Sequence, residues 1–210
     1  MRKPFAALFL FLLPLVAVAG PGQARLDVPG YTGATTDTEV LQYDNGTFHW
    51  LTWGGMYRGT WFDTNDFVPD NNGFYLEMME WWFFQHVSYP WDTNAFYAEI
   101  WTGDVNGPLI LLDQQLVTAI HATPVYTYYD PPLWIEDYFW AVVNTEMSSG
   151  GWPSILGDYS MPGDAGHSFF TDDFIVWEPW GEMGEYLIRA HGTFSMTLNS
   201  TTWGSVKALF

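Results

Sequence analysis

One strand-length run constrains the fold more than any other part of this chain. Residues 74–85 read FYLEMMEWWFFQ, so large apolar side chains stand at odd and at even positions alike. Because successive side chains of a β-strand point to opposite faces of a sheet, both faces of this strand are predicted to be largely apolar. A central strand covered on both sides has that composition. The run therefore predicts a layered β-protein with this strand inside it.

The same texture continues along the chain from Glu39. Short runs of aromatic and β-branched residues alternate with Gly, Asn, Asp or Pro, a spacing typical of antiparallel sandwiches and barrels. We predict an all-β fold, an antiparallel two-sheet β-sandwich that is jelly-roll-like, over residues 39–194. The predicted strands are residues 40–43, 47–53, 59–62, 74–85, 95–101, 109–121 (as two short strands), 133–143, 174–177 and 185–194. Residues 147–167 are predicted to be a long loop, and Pro131-Pro132 is predicted to stop a strand.

Alternation assigns Glu80 to a face that it shares with apolar side chains. The predicted members of that face are Phe74, Leu76, Met78, Glu80, Trp82 and Phe84. A carboxylate in such surroundings needs a charged partner or a raised pKa. The two arginines inside the domain, Arg58 and Arg189, are the candidate partners, and an ion pair is the favoured interpretation.

The N-terminal residues have the pattern of a secretory signal. A basic start at Arg2 and Lys3 precedes an apolar stretch, and small residues follow it, so residues 1–24 are predicted to be a signal peptide cleaved after Ala19 or Ala24. Residues 25–38 read as an irregular lead-in. Residues 195–210 are predicted to be a linker and a tail ending in WGSVKALF, in which Trp203, Lys207 and Phe210 are candidate recognition residues. The predicted location is secreted, extracellular or at the cell surface, with the periplasm as an alternative.

Charge and cysteine content exclude several classes of function. The chain carries 24 acidic and 6 basic residues, and loss of the signal would leave a net charge of −20. A nucleic-acid partner is disfavoured, since phosphate contacts need lysine and arginine, and no membrane span is expected after signal cleavage. The absence of cysteine excludes disulfides and thiolate chemistry. No zinc, phosphate-loop or nucleophile-elbow motif is present, so no catalytic residue is assigned; glycoside hydrolysis by paired acids stays open.

Several segments together resemble a family of secreted bacterial β-sandwich modules. The matching pieces are LQYDNG at 41–46, the run at 74–85, FYAEIW at 96–101, DYFWAVV at 137–143, HSFF at 167–170 and GEYLIRA at 184–190. The ending WGSVKALF is similar to endings on exported proteins of poorly characterised bacterial phyla. The resemblance implies a jelly-roll-like sandwich that serves as an accessory interaction module, and it supplies no catalytic residue.

Aromatic and acidic side chains at period two give the candidate ligand surface. Aromatic rings stack on the apolar faces of sugars, and carboxylates accept hydrogen bonds from hydroxyl groups. The alternative interpretation is that the rings pack between sheets or beneath loops. The candidate ligand-binding residues are Tyr97, Glu99, Trp101, Trp134, Glu136, Tyr138 and Trp140.

A short acidic segment between two predicted strands is the candidate cation site. Calcium prefers oxygen ligands, and it would offset the negative charge of the chain. The spacing does not fit an EF-hand, and Asp and Asn are also common turn residues. The candidate calcium ligands are Asp63, Asn65, Asp66 and Asp70; no cofactor is otherwise required.

Three functions follow from these features. The first is an exported, non-catalytic interaction or adhesion module that contacts a surface protein or glycan. The second is a carbohydrate-binding protein that uses the aromatic and acidic residues of one sheet face. The third is a self-assembling envelope or fibre subunit, joined to its neighbours through exposed strand edges and the C-terminal segment.

Overall fold

The computed structural model describes residues 38–159, 166–180 and 184–195, and it confirms an all-β fold with antiparallel sheets. The predicted signal peptide, the lead-in through residue 37 and the tail residues Trp203, Lys207 and Phe210 lie outside the described residues. A short 3₁₀ helix spans Thr64–Asp66. The strands are β1 (Glu39–Leu41), β2 (Trp50–Thr52), β3 (Tyr57–Asp63), β4 (Phe74–Trp81), β5 (Ala95–Asp104), β6 (Gly107–Thr118), β7 (Val125–Ile135), β8 (Tyr138–Asn144), β9 (Ile155–Gly157), β10 (Ser168–Thr171), β11 (Glu178–Pro179) and β12 (Ile188–Phe194).

Two sheets form the body of the sandwich. The smaller has the order β1-β12-β4-β7, and the larger has the order β11-β10-β3-β8-β5-β6. Strands β2 and β9 form a separate two-stranded sheet. As predicted, β4 lies inside its sheet, between β12 and β7, and strand β6 ends the six-stranded sheet.

The main core lies between the two large sheets and is built from alternating strand positions. Strand β7 shows the rule clearly, since Val125, Thr127 and Tyr129 are buried while Tyr126 and Tyr128 are exposed. The six-stranded sheet contributes phenylalanines at the matching inward positions of β3, β5 and β8. The largest fully buried side chains of this core are Trp81, Tyr186, Phe62, Phe74, Phe83, Phe96 and Phe139.

A register shift in β4 changes which of its side chains share a face. The pairing with β7 is irregular between Leu76 and Met78. Phe74 and Leu76 therefore enter the core together with Met79 and Trp81, rather than with Met78 and Glu80 as strict alternation predicts. The predicted face membership is wrong beyond Leu76 for this reason. Glu80 faces outward from the four-stranded sheet.

The predicted strand over residues 133–143 is wrong. Strand β7 ends at Ile135, and β8 starts at Tyr138 in the other large sheet. The chain passes from sheet to sheet in this two-residue connection, so side chains before and after it do not share a face. Conversely, β7 continues through Pro131 and Pro132, which were predicted to stop a strand. The prolines are tolerated because β7 is an edge strand whose pairing with β4 skips from Tyr128 to Leu133.

Two further strand predictions and one loop prediction need correction. Residues 109–121 do not form two strands, because β6 runs without interruption from Gly107 to Thr118 along β5. Residues 174–177 belong to a loop, and the neighbouring strand is the short β11. The predicted loop over residues 147–167 contains strand β9. This strand pairs antiparallel with β2, and Trp50 lies opposite Gly157.

A second aromatic cluster covers the outer face of the six-stranded sheet. Trp140 and Val142 of β8 and Tyr57 of β3 lie on that face, opposite the main core. Phe169 and Trp177 pack on them and are buried as well. Both faces of the central strand β8 are therefore largely apolar, whereas the inner side of β3 carries Arg58 and Thr60 together with Phe62.

Two buried tyrosines give a prediction for alkaline pH. Burial raises the pKa of the Tyr129 and Tyr186 hydroxyls well above the ordinary value of about 10. Above pH ~10 the unfolded chain releases these protons while the folded chain keeps them, so unfolding becomes easier by about 1.4 kcal/mol per pH unit for each tyrosine. We expect near-ultraviolet absorbance to show these two groups ionising only in step with the loss of circular dichroism. Ionisation of every tyrosine near pH ~10 in a chain that stays folded would contradict the burial.

Candidate functional site

The structure brings five of the seven predicted ligand residues onto one face. Strands β5 and β8 are neighbours, with Trp101 opposite Trp140 in register. Tyr97, Glu99 and Tyr138 lie on the same outer face of the six-stranded sheet. Trp134 belongs to β7 in the other large sheet, and Glu136 lies in the connection after it. The predicted seven-residue surface is therefore divided between two faces.

A loop covers much of the face that carries these five residues. Residues 171–177 bring the Phe174 ring to 4.8 Å from the ring centroids of both Tyr57 and Trp101. Trp177 packs at 4.8 Å against Trp140, which has no exposed surface. Tyr138 stays exposed at the margin. Most rings on this face are therefore packed beneath a loop, as in the alternative interpretation of the sequence.

Glu99 is buried in that face and fully engaged. Its Oε1 accepts hydrogen bonds from the amides of Gln114 and Asn144, both at 2.8 Å. Its Oε2 accepts one from the indole of Trp101 at 2.8 Å. Hydrogen bonds from Gln114, Asn144 and Trp101 thus fix the carboxylate. Glu99 therefore links β5, β6 and β8 through polar contacts.

The four candidate calcium ligands shape the turn around the 3₁₀ helix. The Asp63 carboxylate accepts a hydrogen bond of 2.9 Å from the backbone N–H of Asn65, as a helix-capping residue does. Asp66 accepts one of 2.7 Å from the Tyr43 hydroxyl, and Asp70 has φ of 56°. Across residues 38–159, 166–180 and 184–195, no three His, Cys, Asp or Glu side chains form a group suited to a metal ion. Calcium binding by this turn stays a prediction.

The outer face of the four-stranded sheet presents three exposed aromatic rings along β7. Tyr126, Tyr128 and Trp134 project from β7 and are 41%, 66% and 45% exposed. Tyr126 and Tyr128 have ring centroids 6.3 Å apart, and Trp134 packs at 4.8 Å against Tyr75 of β4. Three accessible rings therefore follow one strand at the edge of this sheet.

A charged cluster lies beside those rings. Arg189 of β12 donates to both oxygens of Asp44, from Nε at 3.0 Å and from Nη2 at 2.7 Å. Its Nη1 also donates to Glu80 at 3.2 Å, and His191 Nε2 lies 3.2 Å from the second Glu80 oxygen. The Trp82 indole donates to Glu80 as well. Glu80 is paired with Tyr126 across β4 and β7, so the cluster adjoins the row of rings.

The cluster is only partly open to water. The side chains of Asp44 and Glu80 are 0% and 10% exposed, and that of Arg189 is 17% exposed. The hydrogen bonds to Asp44 raise the pKa of Arg189, and so this guanidinium stays charged. The predicted ion pair of Glu80 is found with Arg189, and the structure adds Asp44 and His191, which the sequence did not indicate.

Arg58, the other candidate partner of Glu80, has a separate role. Its guanidinium is buried and donates to the carbonyls of Thr52 at 2.6 Å, Gly151 at 2.7 Å and Pro153 at 3.0 Å. Burial lowers the pKa of Arg58 to about 10. Arg58 therefore ties β3 to β2 and to the chain before β9.

The open face was missed because its main strand was missed. The sequence VYTYY at residues 125–129 has the β-branched and aromatic alternation of a half-buried strand. The proline pair that follows it predicts an interruption, and no strand is predicted over residues 125–129. Read together with the edge position of β7, the alternation would have indicated exposed tyrosines at Tyr126 and Tyr128.

Comparisons with known proteins do not assign a family. A scan of family models, the curated proteins and the solved structures found no match to this chain. The resemblance to secreted sandwich modules therefore stays a prediction. Within the described part of the chain, no helix is long and apolar enough to cross a membrane.

Proposed function

We propose that this chain is an exported, non-catalytic binding module that holds a neutral glycan on the outer face of its four-stranded sheet. The observation that carries the proposal is the row of exposed rings Tyr126, Tyr128 and Trp134 beside the Glu80–Arg189 cluster. Exposed rings beside charged groups were expected on the six-stranded sheet, and here they lie on the four-stranded sheet. The proposal keeps the predicted class of function and changes its location.

The aromatic row suits the apolar faces of sugar rings. Removing water from an exposed aromatic ring costs little free energy when a pyranose stacks on it. Each ring then offers a large flat contact surface. Their spacing along a strand suits a chain of sugar units rather than a compact ligand, since successive outward side chains are about 7 Å apart. An extended oligosaccharide lying along β7 is therefore the favoured ligand.

The charged cluster supports recognition of hydroxyl groups. Three of the five N–H donors of the Arg189 guanidinium are used in hydrogen bonds to Asp44 and Glu80, and these contacts hold the group in place. A rigid donor array is well suited to orient hydroxyls beside the stacked rings. The large excess of acidic residues disfavours sulfated or uronic acid polymers, because these would meet repulsion from the whole chain.

The engagement of Glu80 supports binding rather than hydrolysis. A catalytic acid must give its proton to the leaving oxygen, whereas Glu80 accepts hydrogen bonds from Arg189 and Trp82 and also contacts His191. The proposed binding needs no cofactor. Calcium at the turn of Asp63 and Asp66 is a separate prediction that would stabilise the fold.

Binding is tested with a pair of substitutions on β7. We expect the wild-type protein to be retained on at least one insoluble neutral polysaccharide, and Tyr128→Ala/Trp134→Ala to weaken retention at least about tenfold, because two stacking rings are lost. Depletion from solution at increasing polysaccharide concentration measures the effect. Both residues are exposed, so the variant is expected to fold as the wild type does.

Two control variants locate the binding face. Tyr159→Ala removes a ring of similar exposure near the two-stranded sheet and should leave retention unchanged. Tyr138→Ala removes the exposed ring of the six-stranded sheet and should also leave it unchanged. Loss of retention in Tyr138→Ala alone would transfer binding to the other face. No retention of the wild type on any neutral polysaccharide would overturn the proposal.

A further inference from the structure

A cleft of about 510 Å³ lies where three segments of the chain meet, and no residue of β7 lines it. Its walls are Gln85 after β4, residues 91–94 before β5, and residues 118–121 at the end of β6. Pockets for small organic ligands have volumes of about 300 to 1,000 Å³. The cleft is therefore large enough for a small organic ligand and larger than a single ion requires.

Hydrogen bonds join the three walls of the cleft to one another. The Asn94 carbonyl accepts a hydrogen bond of 2.7 Å from the backbone N–H of Ala119. The backbone N–H of Gln85 donates to Nδ1 of His121 at 3.0 Å. Ala122, next to His121, has φ of 53°, a left-handed conformation that costs a non-glycine residue free energy and clusters at ligand sites. The cleft is thus formed before a ligand arrives, which lowers the free energy cost of binding.

Trp91 gives the cleft an aromatic wall. Its indole N–H donates to the Ser154 hydroxyl at 2.9 Å, and its ring packs against the main core. The ring is only half-buried, so part of its surface stays open to the cleft. A ring that is fixed in this way can stack on the apolar face of a pyranose without losing side-chain freedom.

Three polar side chains of the cleft keep capacity for further hydrogen bonds. The amides of Gln85 and Asn94 are exposed, and neither has a hydrogen-bond partner within the part of the chain that the structure describes. Because the backbone N–H of Gln85 can only donate, His121 Nδ1 is an acceptor, and the neutral ring carries its proton on Nε2. The cleft therefore offers both donors and acceptors.

The charges of the cleft disfavour ionic ligands. Asp92 is the only carboxylate among the described residues that line the cleft, and no lysine or arginine is among them. Its oxygens accept hydrogen bonds from the hydroxyls of Ser148 at 2.7 Å and Ser149 at 2.8 Å, and from the Ser149 backbone N–H at 2.9 Å. A cation would compete with these donors, and an anion would be repelled. A neutral ligand that bears hydroxyl groups fits the cleft best.

We propose that the cleft is a second binding site, which holds one neutral sugar unit. The pyranose ring packs on Trp91, and its hydroxyls exchange hydrogen bonds with the amides of Gln85 and Asn94 and with His121. The unit is either a free monosaccharide or the end of a longer glycan, since both present the same ring and hydroxyls. The site is separate from the row of rings on β7 and does not depend on binding there.

The cleft is tested by titrating the isotope-labelled chain with the methyl glycosides of glucose, galactose and mannose, followed by NMR. At least one glycoside is expected to shift the indole N–H signal of Trp91 and the side-chain amide signals of Gln85 and Asn94, with a Kd in the millimolar range. Gln85→Ala/Asn94→Ala should weaken binding at least about tenfold, because two hydrogen-bonding groups are lost. The matched control is Asn106→Ala, which removes an exposed amide in the β5–β6 turn and should leave the Kd unchanged.

Titration of the β7 variant Tyr128→Ala/Trp134→Ala separates the cleft from the proposed glycan face. This variant should bind the glycoside as the wild type does. Loss of glycoside binding in the β7 variant, with full binding in the cleft variant, would overturn the cleft and leave the glycan face in place. Absence of the expected shifts with all three glycosides would also overturn it, as would equal Kd values for the cleft variant and the wild type.

A linear hexasaccharide of the same sugar distinguishes the two sources of the bound unit. If the cleft holds the end of a glycan, Gln85→Ala/Asn94→Ala should weaken binding of the hexasaccharide as well as of the glycoside. If the cleft holds a free monosaccharide, only glycoside binding should weaken. Either result supports the site, whereas weakening of neither ligand would contradict it.

Discussion

Trp81→Ala is expected to lower the free energy of unfolding by about 4 kcal/mol. Trp81 has no exposed surface, and it lies in the main core at 6.2 Å from the Phe96 ring. Its indole N–H donates to the Thr127 hydroxyl at 3.1 Å, so truncation would create a cavity and also remove one of the two hydrogen-bond partners of that buried hydroxyl, the other being the Tyr129 hydroxyl at 3.0 Å. Urea unfolding followed by circular dichroism measures the change.

Trp134→Ala is the matched control for that substitution. Trp134 is on the next strand of the same sheet, but its side chain projects from the opposite, outer face. We expect a loss below about 1 kcal/mol, since an exposed ring contributes little to the core. Equal destabilisation by the two substitutions would contradict the assignment of inner and outer faces. A large effect of Trp81→Ala alone would support it.

Arg189→Met is expected to cost about 3 kcal/mol of folding free energy. The substitution keeps an apolar stem of similar length and removes the cation that Asp44 and Glu80 share. Because both carboxylates are largely buried, their charges would remain without this partner in a poorly hydrated setting. An exposed ion pair would cost less than about 1 kcal/mol, so thermal and urea unfolding distinguish the two situations.

The double variant Asp44→Asn/Arg189→Met separates the ion pair from its surroundings. Removing the Asp44 charge together with its partner should cost less than the sum of the two single substitutions, by about 1 kcal/mol or more. Lys207→Met, a charge change in the C-terminal tail, serves as a reference for the loss of one positive charge. Additive effects of Asp44→Asn and Arg189→Met would contradict direct coupling between the two residues.

The fold class could be predicted because alternation and turn residues are local properties. The mixed apolar run at residues 74–85 correctly predicted a central strand, β4, which lies between β12 and β7. The predicted faces and ends of strands were wrong where a single inserted residue decides which side chains point into the core. The shift after Leu76 inverts the faces of β4, and no feature of FYLEMMEWWFFQ indicates where such a shift falls.

Prolines were misjudged because their effect depends on position in the sheet. Pro131 and Pro132 would break a central strand, whereas the edge strand β7 includes them where its pairing with β4 is interrupted. Edge position is set by the order of strands in space, and the sequence does not report that order. For the same reason, residues 133–143 were predicted as one strand, although Ile135 and Tyr138 belong to different sheets.

The residue types of the candidate surface could be predicted, but not which face carries them. Composition correctly indicated aromatic surfaces with acids nearby, and strand period placed Tyr97, Glu99 and Trp101 together. Whether a ring is covered depends on distant segments, and Trp140 is buried because Trp177 packs on it from a loop far along the chain. The open face combines Asp44, Glu80, Tyr126 and Arg189, which come from four separate strands or their ends. Only the folded chain brings them together.

Hydroxyl-radical footprinting tests most directly which sheet face binds. The protein would be labelled alone and with a neutral polysaccharide that retains it, and oxidation would be measured residue by residue. We expect strong oxidation of Tyr128 and Trp134 in the free protein, protection of both by the polysaccharide, and little oxidation of Trp140 or Trp177 in either state. Protection confined to Trp101 and Tyr138, or strong oxidation of Trp140 and Trp177 in the free protein, would contradict the proposed binding face.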